Sequence, residues 1–115
     1  MLRKIKLWFI KPTLEIKIKP EKKEKNPFLN CIRTIKSVYG SKIKLKVQET
    51  VLPEKIFLEL INGNPVIISF DDERMVIYGL IEEGFLVYSP TSKKIILKDT
   101  EFEKIKQVIT VEEIK

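Results

Sequence analysis

Residues 65–88 read PVIISFDDERMVIYGLIEEGFLVY, three apolar runs cut by two acidic breaks. The runs at 65–70, 75–81 and 85–88 are too short for ordinary helices and rich in β-branched and aromatic side chains, so they read as strands. Asp71, Asp72 and Glu73 form the first break, and Glu82, Glu83 and Gly84 the second. Such residues favour hairpin turns, and the stretch therefore predicts an antiparallel meander. Carboxylate oxygens are also the ligands that hard cations prefer. Successive residues of a hairpin point in different directions, however, so turns are the better reading of both acidic clusters.

Downstream of the meander, PTSK at 90–93 predicts another turn, followed by a strand over 94–97. Asp99 or Thr100 can cap a short helix carrying Phe102 and Ile105, and a last strand is expected over 108–111. Upstream, Pro53 opens a helix with Ile56, Phe57, Leu60 and Ile61 on one face and Asn62-Gly63 as its stop. Before it, Ile43, Leu45 and Val47 alternate with Lys42, Lys44 and Lys46 in a strand with one basic face. The clearest helix comes earlier still. Asn26 is a good N-cap, Pro27 suits the first turn, and Phe28, Cys31, Ile32, Ile35, Val38 and Tyr39 recur at helical spacing up to Gly40. Residues 5–10 and 14–18 read as two short strands, the second alternating as LEIKI before Pro20.

Two helices ahead of a mainly antiparallel sheet define an α+β class, with the N-terminal helices packed on the sheet. At 115 residues the chain has room for one domain spanning 1–115. Its parts are a basic arm at 1–25, a two-helix segment at 26–62, and the sheet with a short helix at 63–111.

Lys and Arg number 22 against 16 Asp and Glu. The excess lies in residues 1–25, which hold nine basic and three acidic side chains, whereas the remainder is neutral overall. Arg3, Lys4 and Lys6 flank Trp8 and Phe9, and Lys17, Lys19, Lys22, Lys23 and Lys25 follow. Cations interleaved with aromatic rings can hold phosphates while the rings stack on bases, which makes a nucleic acid one expected partner. The competing expectation is that Trp8 and Phe9 pack under the sheet or in a subunit contact.

The chain has no histidine and one cysteine, Cys31. A single cysteine excludes an intramolecular disulfide and fits a reducing compartment, so a cytoplasmic location is expected. One thiol without an imidazole cannot furnish a zinc site, and no metal or other cofactor is expected. On the apolar face of its helix, Cys31 is expected to pack in the core. Charges interrupt MLRKIKLWFI at 1–10, no cleavage site follows it, and no run approaches the roughly 18 apolar residues of a membrane span. Abundant Ile, Lys and Glu resemble the composition of hyperthermophiles.

Several pieces of the chain, taken in order, also carry a resemblance. KNPFLNCIRTIKSVYG at 25–40 is a proline-led apolar helix ending in Tyr39-Gly40. LINGNPVII at 60–68 leads a helix end into Gly-x-Pro-Val-Ile, and RMVIYG at 74–79 is a strand ending in glycine. Ser89-Pro90 then follows a strand, and EFEKI at 101–105 is a short helix containing phenylalanine. Together they resemble the papain-like cysteine peptidase domains that remove bacteriocin leaders at a double-glycine site.

The resemblance covers most of residues 14–111 and implies a papain-like cysteine peptidase-type fold. It also implies where a catalytic triad would stand: Lys25 at the nucleophilic cysteine, Glu73 or Arg74 at the histidine, and Ser89 at the aspartate. The glutamine that would line an oxyanion hole has no counterpart. A cysteine nucleophile needs an imidazole within reach to become a thiolate and to protonate the leaving amine. The chain is therefore expected to be no enzyme but a catalytically degenerate relative whose cleft binds a protein or peptide partner. Inactive members of the family bind substrate for an attached transporter; with no transporter segment, binding here is expected to be free-standing or in trans. A homodimer through an exposed strand edge fits either kind of partner.

Overall fold

Chain order in the computed structural model is β1 (Leu14–Glu15), α1 (Pro27–Tyr39), β2 (Ile43–Gln48), α2 (Pro53–Ile61), β3 (Val66–Phe70), β4 (Glu73–Ile81), β5 (Gly84–Tyr88), β6 (Ile96–Leu97), a 3-10 helix (Asp99–Lys104) and β7 (Ile105–Glu113). The structure describes residues 14–20, 23–39, 43–48 and 52–113, so the strand expected at 5–10 lies outside them. Strands β3 to β5 form the expected meander. Asp71 enters the first turn at φ 52°, a left-handed conformation that aspartate tolerates better than most residues.

Every described strand pair is antiparallel, and the sheet runs β2-β7-β3-β4-β5-β6. The class is α+β. Because β7 inserts between β2 and β3, the sheet draws on the two-helix segment as well as on residues 63–111. β7 is also longer than the strand expected at 108–111, since it must serve two neighbours: Ile105, Gln107, Val108 and Ile109 pair with β3, and Val108 to Glu113 with β2.

Alternating residues of the central strands are buried on opposite faces. Cys31 and Ile35 of α1 pack with Ile67, Val76, Ile109 and Val111 on one face. On the other, Ile56 and Leu60 of α2 pack with Val66, Ile68, Met75 and Ile77. The two helices, adjacent in sequence, thus sandwich the sheet between them. This accounts for the nearly continuous apolar runs of β3 and β4, because a strand covered on both faces has no solvent side for polar residues. Each such aliphatic side chain contributes roughly 1.5–3 kcal/mol by leaving water.

β1 lies along the half of β4 that β3 leaves uncovered, with Leu14 opposite Leu80 and Glu15 opposite Gly79. Gly79 permits that approach, since a Cβ there would collide with the carbonyl oxygen of Leu14. The strand ends at Glu15 rather than Ile18. β3 occupies the edge of β4 from Ile77 onward, so after a last bond from the Ile16 N–H to the Tyr78 carbonyl the chain must leave the sheet. Residues 16–20 then run on outside regular structure. That departure opens a hollow beside Tyr78 of β4 and the end of β5.

Candidate functional site

The start of α1 is tied down by side chains. Asn26 Oδ1 accepts hydrogen bonds from the N–H groups of Phe28 and Leu29 at 3.0 and 3.1 Å, as an N-cap should. Glu24 folds over the same end: its carboxylate accepts from the Asn26 N–H and lies 3.4 Å from the Arg33 guanidinium. Its carbonyl accepts from Asn30 Nδ2 at 2.9 Å.

Asn30 is 3% exposed and joins the helix to the sheet, because its Oδ1 also accepts a 2.9 Å hydrogen bond from the Tyr88 hydroxyl at the end of β5. Burying such a polar cluster is tolerable only when its members find partners. Thr34, one turn further on, is buried too and reaches Asn30 Oδ1 at 3.5 Å. A polar pair at positions 30 and 34, interrupting an otherwise apolar helical stripe, was the available sequence signal for this clamp. Tyr88 carried no such mark.

Lys25 and Ser89 line one shallow cleft of about 510 Å³ in front of this helix end, together with Pro20, Glu24, Asn30 and Tyr88. Ser89 is nearly buried, and its Oγ accepts hydrogen bonds from the N–H groups of Thr91 and Ser92, capping the turn that follows β5. Arg74 comes from the start of β4. Its guanidinium carbon sits 5.0 Å from the centre of the Phe28 ring in the first turn of α1, and Nη1 donates to Gln107 Oε1 at 3.2 Å. Val76 pairs with Tyr88, so Arg74 and Ser89 belong to the same end of the β4–β5 pair. Glu73 instead pairs with Phe70 at the hairpin.

Cys31 lies in the core. Burial pushes its thiol up to about 12, against a smaller opposing effect of the Arg74 charge, so it stays protonated and unreactive at neutral pH.

A second, larger hollow of about 680 Å³ continues from the cleft, sharing Pro20, Tyr88 and Ser89 with it. One wall is the stretch 16–20 and the other the stretch 92–95. Lys17 and Lys19 stand on the first wall, Lys93 and Lys94 on the second, and Glu15 is the one carboxylate among the described lining residues. Lys94 is engaged with Glu101 at 2.6 Å, whereas the structure shows no ion pair for Lys17, Lys19 or Lys93 among the described residues. No local pattern in the sequence marks Lys93 or Lys94 as part of a site. Nothing local links them to lysines more than seventy residues earlier.

Of the other residues expected to meet an anion, Lys23 is exposed and outside both hollows, while Arg3, Lys4, Lys6, Trp8 and Lys22 lie outside the described residues. Lys46 lines a separate hollow beside α2. Among the described residues no group of three or more His, Cys, Asp or Glu side chains is arranged to hold a metal ion, and no helix is long and apolar enough to cross a membrane. No protein-family model, curated protein or solved structure matches the chain.

Proposed function

We propose that this α+β chain is a non-catalytic protein- or peptide-binding module built on a papain-like frame whose triad positions have been replaced. The observation that carries the reading is the gathering of Lys25, Arg74 and Ser89 around the N-terminal end of α1. Lys25 and Ser89 share a cleft, and Arg74 stacks on the first turn of the same helix. Residues far apart in sequence thus lie near one helix end, Lys25 and Ser89 in the cleft itself and Arg74 beside it on Phe28.

Their chemistry is of another kind. Lys25 is a cation, Arg74 is a permanently charged donor already bound to Gln107, and Ser89 holds a turn. The chain has no imidazole to activate a nucleophile, and its one thiol is sealed in the core. What such a place retains is a concave surface at the junction of α1 and the end of β5. The lysines along its rim supply charge, and the open groove supplies length for an extended partner.

Selection of peptides from a random display library against the full chain tests this reading, with Lys25→Trp as the comparison. Lys25 is exposed, so the substitution obstructs the cleft without removing a core contact. A recurring peptide motif that binds the wild-type chain uncut, and loses most of its affinity for Lys25→Trp, is the expected result. Cleavage of the selected peptide, or enrichment of no motif, would refute it.

A further inference from the structure

We infer that the hollow between residues 16–20 and 92–95 binds an extended peptide in which acidic residues alternate with apolar ones. The inference rests on the peptide-binding reading above and specifies the partner's chemistry.

Charge is the first reason. Lys17, Lys19 and Lys93, which have no ion-pair partner among the described residues, line the hollow against one carboxylate, Glu15, while the Lys94 ammonium on the second wall is engaged with Glu101. Like charges gathered around a concave surface repel one another, and an anionic occupant relieves that repulsion. Complementary charge also steers encounter and rejects partners of the wrong sign.

The pattern along the wall is the second reason. Ile16 and Ile18 are half-buried while Lys17 and Lys19 are exposed, so cation and methyl surface alternate with the period of an extended chain. Across the hollow, Ile95 leaves 67% of its surface in water beside Lys94. A peptide alternating carboxylates with β-branched residues matches both features at once.

Open backbone is the third. The Ile16 N–H bonds to the sheet and the Lys19 N–H to Ser37 Oγ, but the N–H and C=O groups of Lys17 and Ile18 bond to no described residue. Backbone groups in an extended stretch are the natural partners of another extended chain. A single-stranded nucleic acid could use the lysines but has no matching use for the isoleucines or for the free amide groups.

Fluorescence anisotropy of the full chain decides the matter. The probes are a labelled peptide of about ten residues alternating Glu with Val and Thr, the same peptide with Gln for Glu, and a labelled oligothymidine of similar charge. The acidic peptide is expected to bind about tenfold tighter than the Gln peptide, and to weaken as salt rises from about 0.1 to about 0.5 M. Lys17→Glu combined with Lys19→Glu should abolish that preference. Lys55→Glu combined with Lys106→Glu, the same charge change made outside this hollow, should leave it intact. Thermal melts of both double variants establish that each is folded.

Equal affinity for the acidic and Gln peptides, both lost in Lys25→Trp, would overturn the charge inference while leaving a peptide-binding module standing. Binding of neither peptide would overturn both. Tighter binding of the oligothymidine would replace both with a nucleic-acid site.

Discussion

Cys31 shows how a single side chain can be reactive in composition and inert in place. It occupies the apolar face of α1 between the helix and the sheet, and its thiol is raised to about 12 by burial. In the native protein a thiol reagent at neutral pH should therefore modify Cys31 only at the rate of opening, and promptly once denaturant is added. Time-resolved labelling followed by mass spectrometry checks this; rapid native labelling would place the thiol nearer solvent than the structure does. The same shift has a consequence at high pH. A folded-state value above the ordinary 9.0 means that folding favours the protonated thiol, a contribution present below about pH 9 and lost as pH rises toward 12. The burial of Cys31 was readable from its helical spacing. The roles of Asn30 and Tyr88 were not, because the 2.9 Å bond between them joins residues 58 positions apart.

The stretch leading to β6 depends on a tie to another element. Lys94 donates to Glu101 in the 3-10 helix at 2.6 Å, and the Glu101 carboxylate also accepts from the Lys98 N–H. The hydrogen bond from Lys94, reinforced by that from Lys98, holds the Glu101 carboxyl below its ordinary value of 4.5. A lowered folded-state value contributes stability above the unfolded-state pKa and loses it as pH falls through the folded-state one. Wild type should therefore melt above Glu101→Gln near neutral pH, by an amount corresponding to roughly 0.5–1 kcal/mol, and the gap should narrow below about pH 4.5. Parallel melting curves across that range would show that the tie contributes nothing. The same element illustrates what spacing can and cannot say: a turn at 90–93 was legible from Pro90 and the small polar residues after it. That Lys93 and Lys94 would then face Lys17 and Lys19 was not.

At the scale of the molecule, the sheet's centre and edges should differ sharply in stability. β3 and β4 are covered by α1 on one face and α2 on the other, whereas β6 is two residues long and β2, lined by Lys44 and Lys46, is at the end of the sheet among the described strands. Native-state hydrogen exchange should find the amides of Ile67, Ile68, Val76 and Ile77 the slowest, opening only with the whole fold, and those of β6 and β1 much faster. Uniform protection across the sheet would contradict a core built on its centre. Lys44 and Lys46 also bear on self-association, because cations along a strand oppose its pairing with a second copy.

The α+β class, the meander at 65–88, both helices and the buried position of Cys31 follow from periodicity, caps and turn residues, all of which act within a few positions of chain. The same holds for the absence of imidazole chemistry, which is a matter of composition. Other features depend on which segments become neighbours. β7 inserts between β2 and β3, the helices take opposite faces, β1 ends where β3 begins, and four lysines surround one hollow. Each of these is set by long-range pairing and by competition for the edges of β4 and β7. No local pattern encodes that competition, since it is resolved only when all the strands are present together.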